Sequence, residues 1–394
     1  MRTYSVIALG PSMSGKTVFL AAMHYDLFVQ DPGRAFYIKT DPENALELNR
    51  IYNQVANPRD DWPQGTIRST DWTFTACVNS PFGNYEVLNF QYKDYSGGKL
   101  TDVTVGDDSQ ETREFFQELS EADALLGILD GSKILALLRG EPAGDRLLNF
   151  ELTAPLAIMQ QSRKPIQFVI TKWDLLRGQY TLGEVRERLL RNRAFRNLVE
   201  SRARISKARI RLIPVSAVGF HFVEPQSDGL MVKRPGRSPK PWQVDIPLAT
   251  IIPDQLHYVF ESLDDQTKEL LESKIDPASA LSFTDRIRVF AAQALRSYMP
   301  IVKRILAGID RNLAARVSED DLRQLAMMLE RRAQDKLQRT ELEQRAERDR
   351  SLAAVDDARS ALEHLNQSFA LCLERFEEEF SDSVLSVESA VQGR

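Results

Sequence analysis

Apolar and polar positions along the first 220 residues follow two different periods. Thr3 to Leu9 is an apolar-rich run with the character of a buried strand. Thr17 to Phe28 then places Val18, Leu20, Ala21 and Leu27 where a helix would bury them. Gln30 to Gln64, interrupted by Pro32, Pro42, Pro58 and Pro63, reads as irregular. Asp71 to Val78 alternates as a half-exposed strand does, Pro81-Phe82-Gly83-Asn84 marks a turn, and Tyr85 to Tyr92 returns as the second arm of a hairpin. Thr112 to Leu119 has a helical period. Ala124 to Leu129, Ile166 to Ile170 and Ile210 to Val215 are apolar runs, as strands covered on both faces are. Helical stretches over Leu147 to Gln161 and Leu182 to Arg202 separate them. The order predicts an α/β fold: a doubly wound, mainly parallel sheet with one antiparallel edge strand.

The pattern changes beyond residue 220. Gly219 to Pro253 contains six prolines and the basic residues Lys233, Arg234, Arg237 and Lys240, and reads as an ordered crossing segment or a loop, not a helix. From Asp254 onward nearly everything is helical in period, with Leu322, Leu325 and Leu329, and later Leu362, Leu365, Phe369, Cys372 and Phe376, at three- and four-residue spacing. Gln334 to Arg350 is dense in mixed charge and reads as a solvated long helix or a helix pair meeting along a narrow seam. Three units are therefore expected: 1–220, a connecting segment 221–253, and an all-helical C-terminal region 254–394 with long helices, possible as a coiled-coil arm.

Composition removes several classes. The net charge of −5 argues against a general nucleic-acid surface. Cys77 and Cys372 supply neither a disulfide framework nor metal spacing, and the four histidines form no cluster. No apolar run approaches the ~20 residues that span a bilayer. The first residues run straight into a strand, which leaves no room for a targeting peptide and predicts a cytoplasmic protein.

The chemistry starts at Gly10-Pro11-Ser12-Met13-Ser14-Gly15-Lys16-Thr17, which satisfies G-x-x-x-x-G-K-[ST] between a strand and a helix. Such a loop points backbone N–H groups inward and adds the positive end of a helix, so it cradles phosphate. Lys16 can reach the β- and γ-phosphates, and Thr17 can offer its hydroxyl to Mg²⁺. Asp94-Tyr95-Ser96-Gly97 ends a strand; its carboxylate can hold Mg²⁺ through water, and the N–H of Gly97 can approach the γ-phosphate. Thr171-Lys172-Trp173-Asp174 follows an apolar strand and matches [NT]-K-x-D, where the two oxygens of Asp174 can accept from the guanine N1–H and N2 amino group. Ser216-Ala217-Val218 follows the next strand, where the N–H of Ala217 can donate to guanine O6.

In this order the four motifs resemble the translation-factor-related, Ras-like class of P-loop GTPases over residues 1 to about 220. More narrowly, Gly-Pro-Ser-Met-Ser-Gly-Lys-Thr-Val-Phe-Leu-Ala-Ala is similar to bacterial double-GTPase proteins of conflict and signalling systems. The resemblance implies a GTP- and Mg²⁺-dependent switch with slow hydrolysis, often accelerated by a partner. It implies nucleotide contacts from Gly10, Met13, Ser14, Gly15, Lys16, Thr17, Val18, Thr171, Lys172, Asp174, Ser216, Ala217 and Val218. Metal contacts would come from Thr17, Thr66 and Asp94, and catalytic roles would fall on Lys16, Thr66 and Gly97. Thr66, beside Gly65 before the hairpin, is the candidate for the first switch threonine, with Thr70 the alternative.

One departure stands out. The class commonly has a water-orienting glutamine after Asp-x-x-Gly, and here that position is Gly98. Hydrolysis would then rely on another residue, with Arg59 and Arg68 candidates in cis, on a partner, or on the phosphates themselves. Two readings remain open. One is a GTPase signalling through its switch loops to a helical partner-binding region, with homo-oligomerisation possible. The other is a GTP-bound scaffold that hydrolyses little. A P-loop kinase or ATPase is disfavoured by Thr171 to Asp174.

Overall fold

The structure, a computed structural model, describes residues 1–29, 34–64, 69–95, 110–205, 208–225, 231–261, 352–353 and 355–385. Strand β1 (Arg2–Leu9) shows why the central layer forms. Val6 and Ala8 are buried on one face and Ile7 and Leu9 on the other, because successive strand side chains point to opposite sides. Helix α1 (Lys16–Phe28) follows, then β2 (Tyr37–Lys39), α2 (Pro42–Ala56), and the hairpin β3 (Thr70–Ser80) and β4 (Gly83–Asp94) closed by Pro81 and Phe82. After α3 (Gln110–Glu121), the apolar runs become β5 (Ala124–Asp130), β6 (Ile166–Thr171) and β7 (Ile210–Pro214), buried at every residue.

Helices α4 (Gly131–Arg139), α5 (Pro142–Arg146) and α6 (Thr153–Gln161) lie between β5 and β6, and α7 (Leu182–Leu190) and α8 (Arg193–Ile205) between β6 and β7. A small hairpin of β8 (Val223–Pro225) and β9 (Met231–Lys233) leads to α9 (Ile246–Ala249) and α10 (Ile251–Glu261). Helix α11 (Ala358–Glu379) and strand β10 (Val384–Leu385) complete the described elements.

Eight strands form one sheet in the order β10-β7-β6-β5-β1-β4-β3-β2. The five from β7 to β4 run parallel. Helices α1, α2, α9, α10 and α11 pack on one face, and α3, α4, α6, α7 and α8 on the other. The fold is α/β with a mainly parallel sheet covered on both sides. No helix among the described residues is long and apolar enough to cross a membrane.

Several expectations need correction. The antiparallel hairpin strand is not the edge: β3 lies one strand in, with β2 paired outside it, and β10 adds an antiparallel strand at the opposite edge. Gln30 to Gln64 is not irregular throughout, because it holds β2 and α2. Asp41 caps α2 by accepting from the Asn44 N–H, and Pro42 sits at the helix start, where a missing N–H costs nothing. Leu48, Ile51, Tyr52 and Val55 form its buried stripe. The stretch 182–202 is two helices: Thr181 and Glu184 form a capping box for α7, and the Asn192 side chain accepts from the Phe195 N–H to start α8. Leu147 to Gln161 is a π turn (Leu147–Glu151) followed by α6. The proline-bearing segment turns helical at Ile246, with Pro247 and Pro253 in first turns. Residues 262–351 lie outside the described set, and with them the expected long helices of that stretch.

Charge and aromatic packing tie α11 to the sheet. Phe369 lies edge-on to Phe36 at 5.0 Å. Arg211 of β7, fully buried, donates from Nε to Asp254 of α10 at 2.6 Å and from Nη1 to Glu377 of α11 at 2.7 Å. Burial alone would disfavour its charge; the two carboxylates more than offset this, so the guanidinium is held above its ordinary pKa. Helix α7 meets the C-terminal region through the ion pair of Arg186 with Asp382, at 2.5 Å.

His24 of α1 predicts a pH dependence. It is fully buried beside Phe28 and Phe74, and neither ring nitrogen has a hydrogen-bond partner among the described residues. Burial lowers its pKa, so the unfolded chain binds the proton more readily. Its contribution is therefore complete at neutral pH and is lost as pH falls below the ordinary histidine value of about 6.5. Buried carboxylates whose pKa is raised contribute with the opposite sign at lower pH. Urea titrations of wild type and His24→Leu between pH 7.5 and 5 isolate the term; parallel stability curves would refute it.

Candidate functional site

Parallel register brings the strand ends to one edge. Ala8 lies opposite Asp94, Leu9 opposite Gly127, Asp130 opposite Thr171, and Ile170 opposite Pro214. The loops leaving these strands open along the carboxyl edge, where open α/β sheets bind ligands.

The loop between β1 and α1 is tight for a steric reason. A Cβ at Gly10 would lie 2.8 Å from the Ile128 carbonyl oxygen. Gly15 and Met13 take positive φ, 89° and 62°, and Gly15 ends the loop in the left-handed region that favours glycine. Helix α1 starts with no side-chain cap and no acidic residue in its first turn, so its leading N–H groups and positive dipole end face the loop. Lys16 is 6% exposed, and its Nζ donates to the carbonyls of Gly10 at 3.0 Å and Pro11 at 3.1 Å. An ammonium has three protons, so one remains beyond those two bonds. Burial lowers the Lys16 pKa, partly countered by the charge of Asp94.

Thr17 donates its hydroxyl to Asp94 Oδ2 at 3.0 Å. Asp94 is 1% exposed, and its Oδ1 is buried with no partner among the described residues, as is the Ser14 hydroxyl. Burial raises the Asp94 pKa, against the pull of Lys16 and Thr17. Two orphaned oxygens beside a buried ammonium and an open helix start are what a polyphosphate with a hard divalent cation would satisfy. Thr66, Gly97 and Gly98 lie outside the described residues, as does Arg68. Thr70, the alternative switch threonine, opens β3 directly across from Asp94. Arg59 sits in an exposed turn.

The segment after β6 touches this loop. Thr171 donates its hydroxyl to the Ser14 carbonyl at 2.8 Å and the Leu129 carbonyl at 3.2 Å. Lys172 has φ 53°, and its Nζ pairs with Asp130 at 2.9 Å. Asp174 accepts from the Ser216 hydroxyl at 2.6 Å, and Ser216 Oγ accepts in turn from the Gly219 N–H at 2.8 Å. Burial raises the Asp174 pKa, with the Ser216 hydrogen bond opposing. The Ala217 carbonyl accepts from Tyr52 of α2 at 3.3 Å. Val18 and Val218 pack in an apolar cluster with Val55 and Phe222, and the Val218 carbonyl accepts from the Lys240 N–H at 3.0 Å.

Motif reading missed Asp130, which caps α4 through the Ser132 N–H and holds Lys172. An aspartate ending an apolar strand, followed by Gly131-Ser132, was its available signal. Trp242, whose backbone pairs both ways with Ser216, was also missed. It lies 26 residues beyond its partner and follows no motif.

No family model matches the sequence, and no curated protein matches it. Among solved structures, the chain is similar to a crystal structure of Aquifex aeolicus Era, as a tyrosine-to-alanine variant bound to GDP and AlF4⁻. The identity is 14%, the match covers 68% of this chain and 69% of that one, and the TM-score is 0.24. A superposition that loose carries nothing over to the residues of this chain.

Proposed function

We propose that the protein binds GTP with Mg²⁺ and hydrolyses it slowly, acting as a switch. The observation that carries this reading is the contact between two motifs far apart in sequence. The phosphate-type loop and the Thr-Lys-x-Asp segment meet through Thr171 and Ser14, and Ser216 joins Asp174 at the same edge. The α1 N-terminus and Lys16 would hold the phosphates, Thr17 and Asp94 the cation, and Asp174 the purine. Mg²⁺, when bound, neutralises charge at the β- and γ-phosphates. Lys172, anchored by Asp130, would lay its stem along the base. Adenine lacks the donor pair that Asp174 accepts, so the wrong purine leaves a largely desolvated carboxylate unpaired.

Asp174→Asn tests the base assignment. The amide reverses one hydrogen-bond polarity, so the variant should lose GTP affinity by about 1–3 kcal/mol and gain preference for xanthosine triphosphate. Competition binding measures both; unchanged GTP affinity would refute the role.

A scaffold that holds GTP without turning it over is favoured by one feature, the absence of a side chain at Gly98. Single-turnover phosphate release decides between the two. A rate indistinguishable from free GTP supports the scaffold, and a faster one supports the switch.

A further inference from the structure

The base-side corner of the site is braced by a segment far from it in sequence. Trp242 is the connector. Its N–H donates to the Ser216 carbonyl at 2.8 Å, and the Ser216 N–H donates to the Trp242 carbonyl at 3.1 Å. Ser216 in turn fixes Asp174 through its hydroxyl. The Trp242 ring packs edge-on to Phe220 at 5.1 Å and against Phe380 at 6.1 Å. Arg177, in the turn that carries Asp174, lies over the Phe220 ring at 3.9 Å and the Trp242 ring at 5.5 Å. The turn after β6, the loop after β7 and Trp242 thus form one aromatic and hydrogen-bonded unit.

Phe380 presses on that unit from the end of α11. It is held by α11 on one side and by the Asp382–Arg186 pair on the other. We propose that Trp242 is a positioning residue for Asp174 and that docking of residues 376–385 sets guanine-nucleotide affinity through it. This rests on the reading of Asp174 as the purine-selecting carboxylate. Withdrawal of Phe380, by whatever partner the helical region engages, frees one wall of Trp242 and loosens Ser216 and Asp174 without touching the phosphate loop. Coupling through such a two-position element is reciprocal, so bound guanine nucleotide also favours the docked segment.

The test uses the full chain with GDP and with IDP, which lacks the N2 amino group that Asp174 would accept from. Phe380→Ala should speed GDP release at least about fivefold and bring the GDP-to-IDP affinity ratio toward one. Phe380→Leu, which keeps the apolar bulk, should recover most of both. Asp382→Ala, at a half-exposed position, should shift both in the same direction and decides the question if Phe380→Ala does not fold. A ratio unchanged in these variants, or GDP and IDP weakened alike, overturns the coupling alone. Wild-type protein with no preference for GDP overturns the base assignment and the coupling with it.

Discussion

Lys16→Met should weaken GTP binding at least about a hundredfold, or about 2.7 kcal/mol, while leaving the fold intact. The lysine is buried, with its ammonium held among the Gly10 and Pro11 carbonyls. Removing a buried charged partner from a polyphosphate contact costs 2–5 kcal/mol or more, since the phosphate charge is left uncompensated in a water-poor site. The free protein loses far less. A buried ammonium carries a desolvation penalty that methionine does not, and Asp94, deprived of its neighbour, can take a proton, in the direction its raised pKa already points. Calorimetric titration with GTP and Mg²⁺ reads the affinity, and a melt without nucleotide reads the fold. A variant that keeps GTP within threefold of wild type would remove Lys16 from the site.

The second large effect concerns stability. Asp254→Ala should cost about 3–5 kcal/mol, the range for breaking a buried ion pair by deleting one member. Arg211 would keep only Glu377, which is 31% exposed and better screened. Glu377→Ala should cost less for the same reason. The double variant Arg211→Met with Asp254→Leu should recover much of the loss, because apolar residues of similar volume can replace a buried pair without the desolvation term. Urea midpoints give the order; a loss below about 1 kcal/mol in Asp254→Ala would mean that water reaches the pair.

The sheet was legible because its inner strands are buried on both faces, and Ala124 to Leu129 and Ile166 to Ile170 are apolar runs too short for a typical helix. The candidate site was legible where chemistry is local: loop, lysine and threonine are contiguous from Gly10 to Thr17. Helix α2 was not, because Pro42 was read as a breaker when it stands at the first helical position behind the Asp41 cap. The break between α7 and α8 was hidden by an amphipathic pattern that runs through it. Strand β10 has two residues and no periodicity to detect. Asp130 and Trp242 escaped because their roles come from tertiary pairing, with Lys172 in one case and Ser216 in the other.

Strand β10 also bears on how the chain is made. Its partner β7 is complete about 170 residues earlier. At ~5–20 residues per second, roughly 10–30 s of synthesis separate the two. Through that interval the β7 edge offers unpaired N–H and C=O groups to any extended peptide nearby. Slow translation, or a nascent chain stalled before Val384, should therefore favour strand-mediated aggregation on the ribosome, and a chaperone that shields sheet edges should raise the yield of this protein.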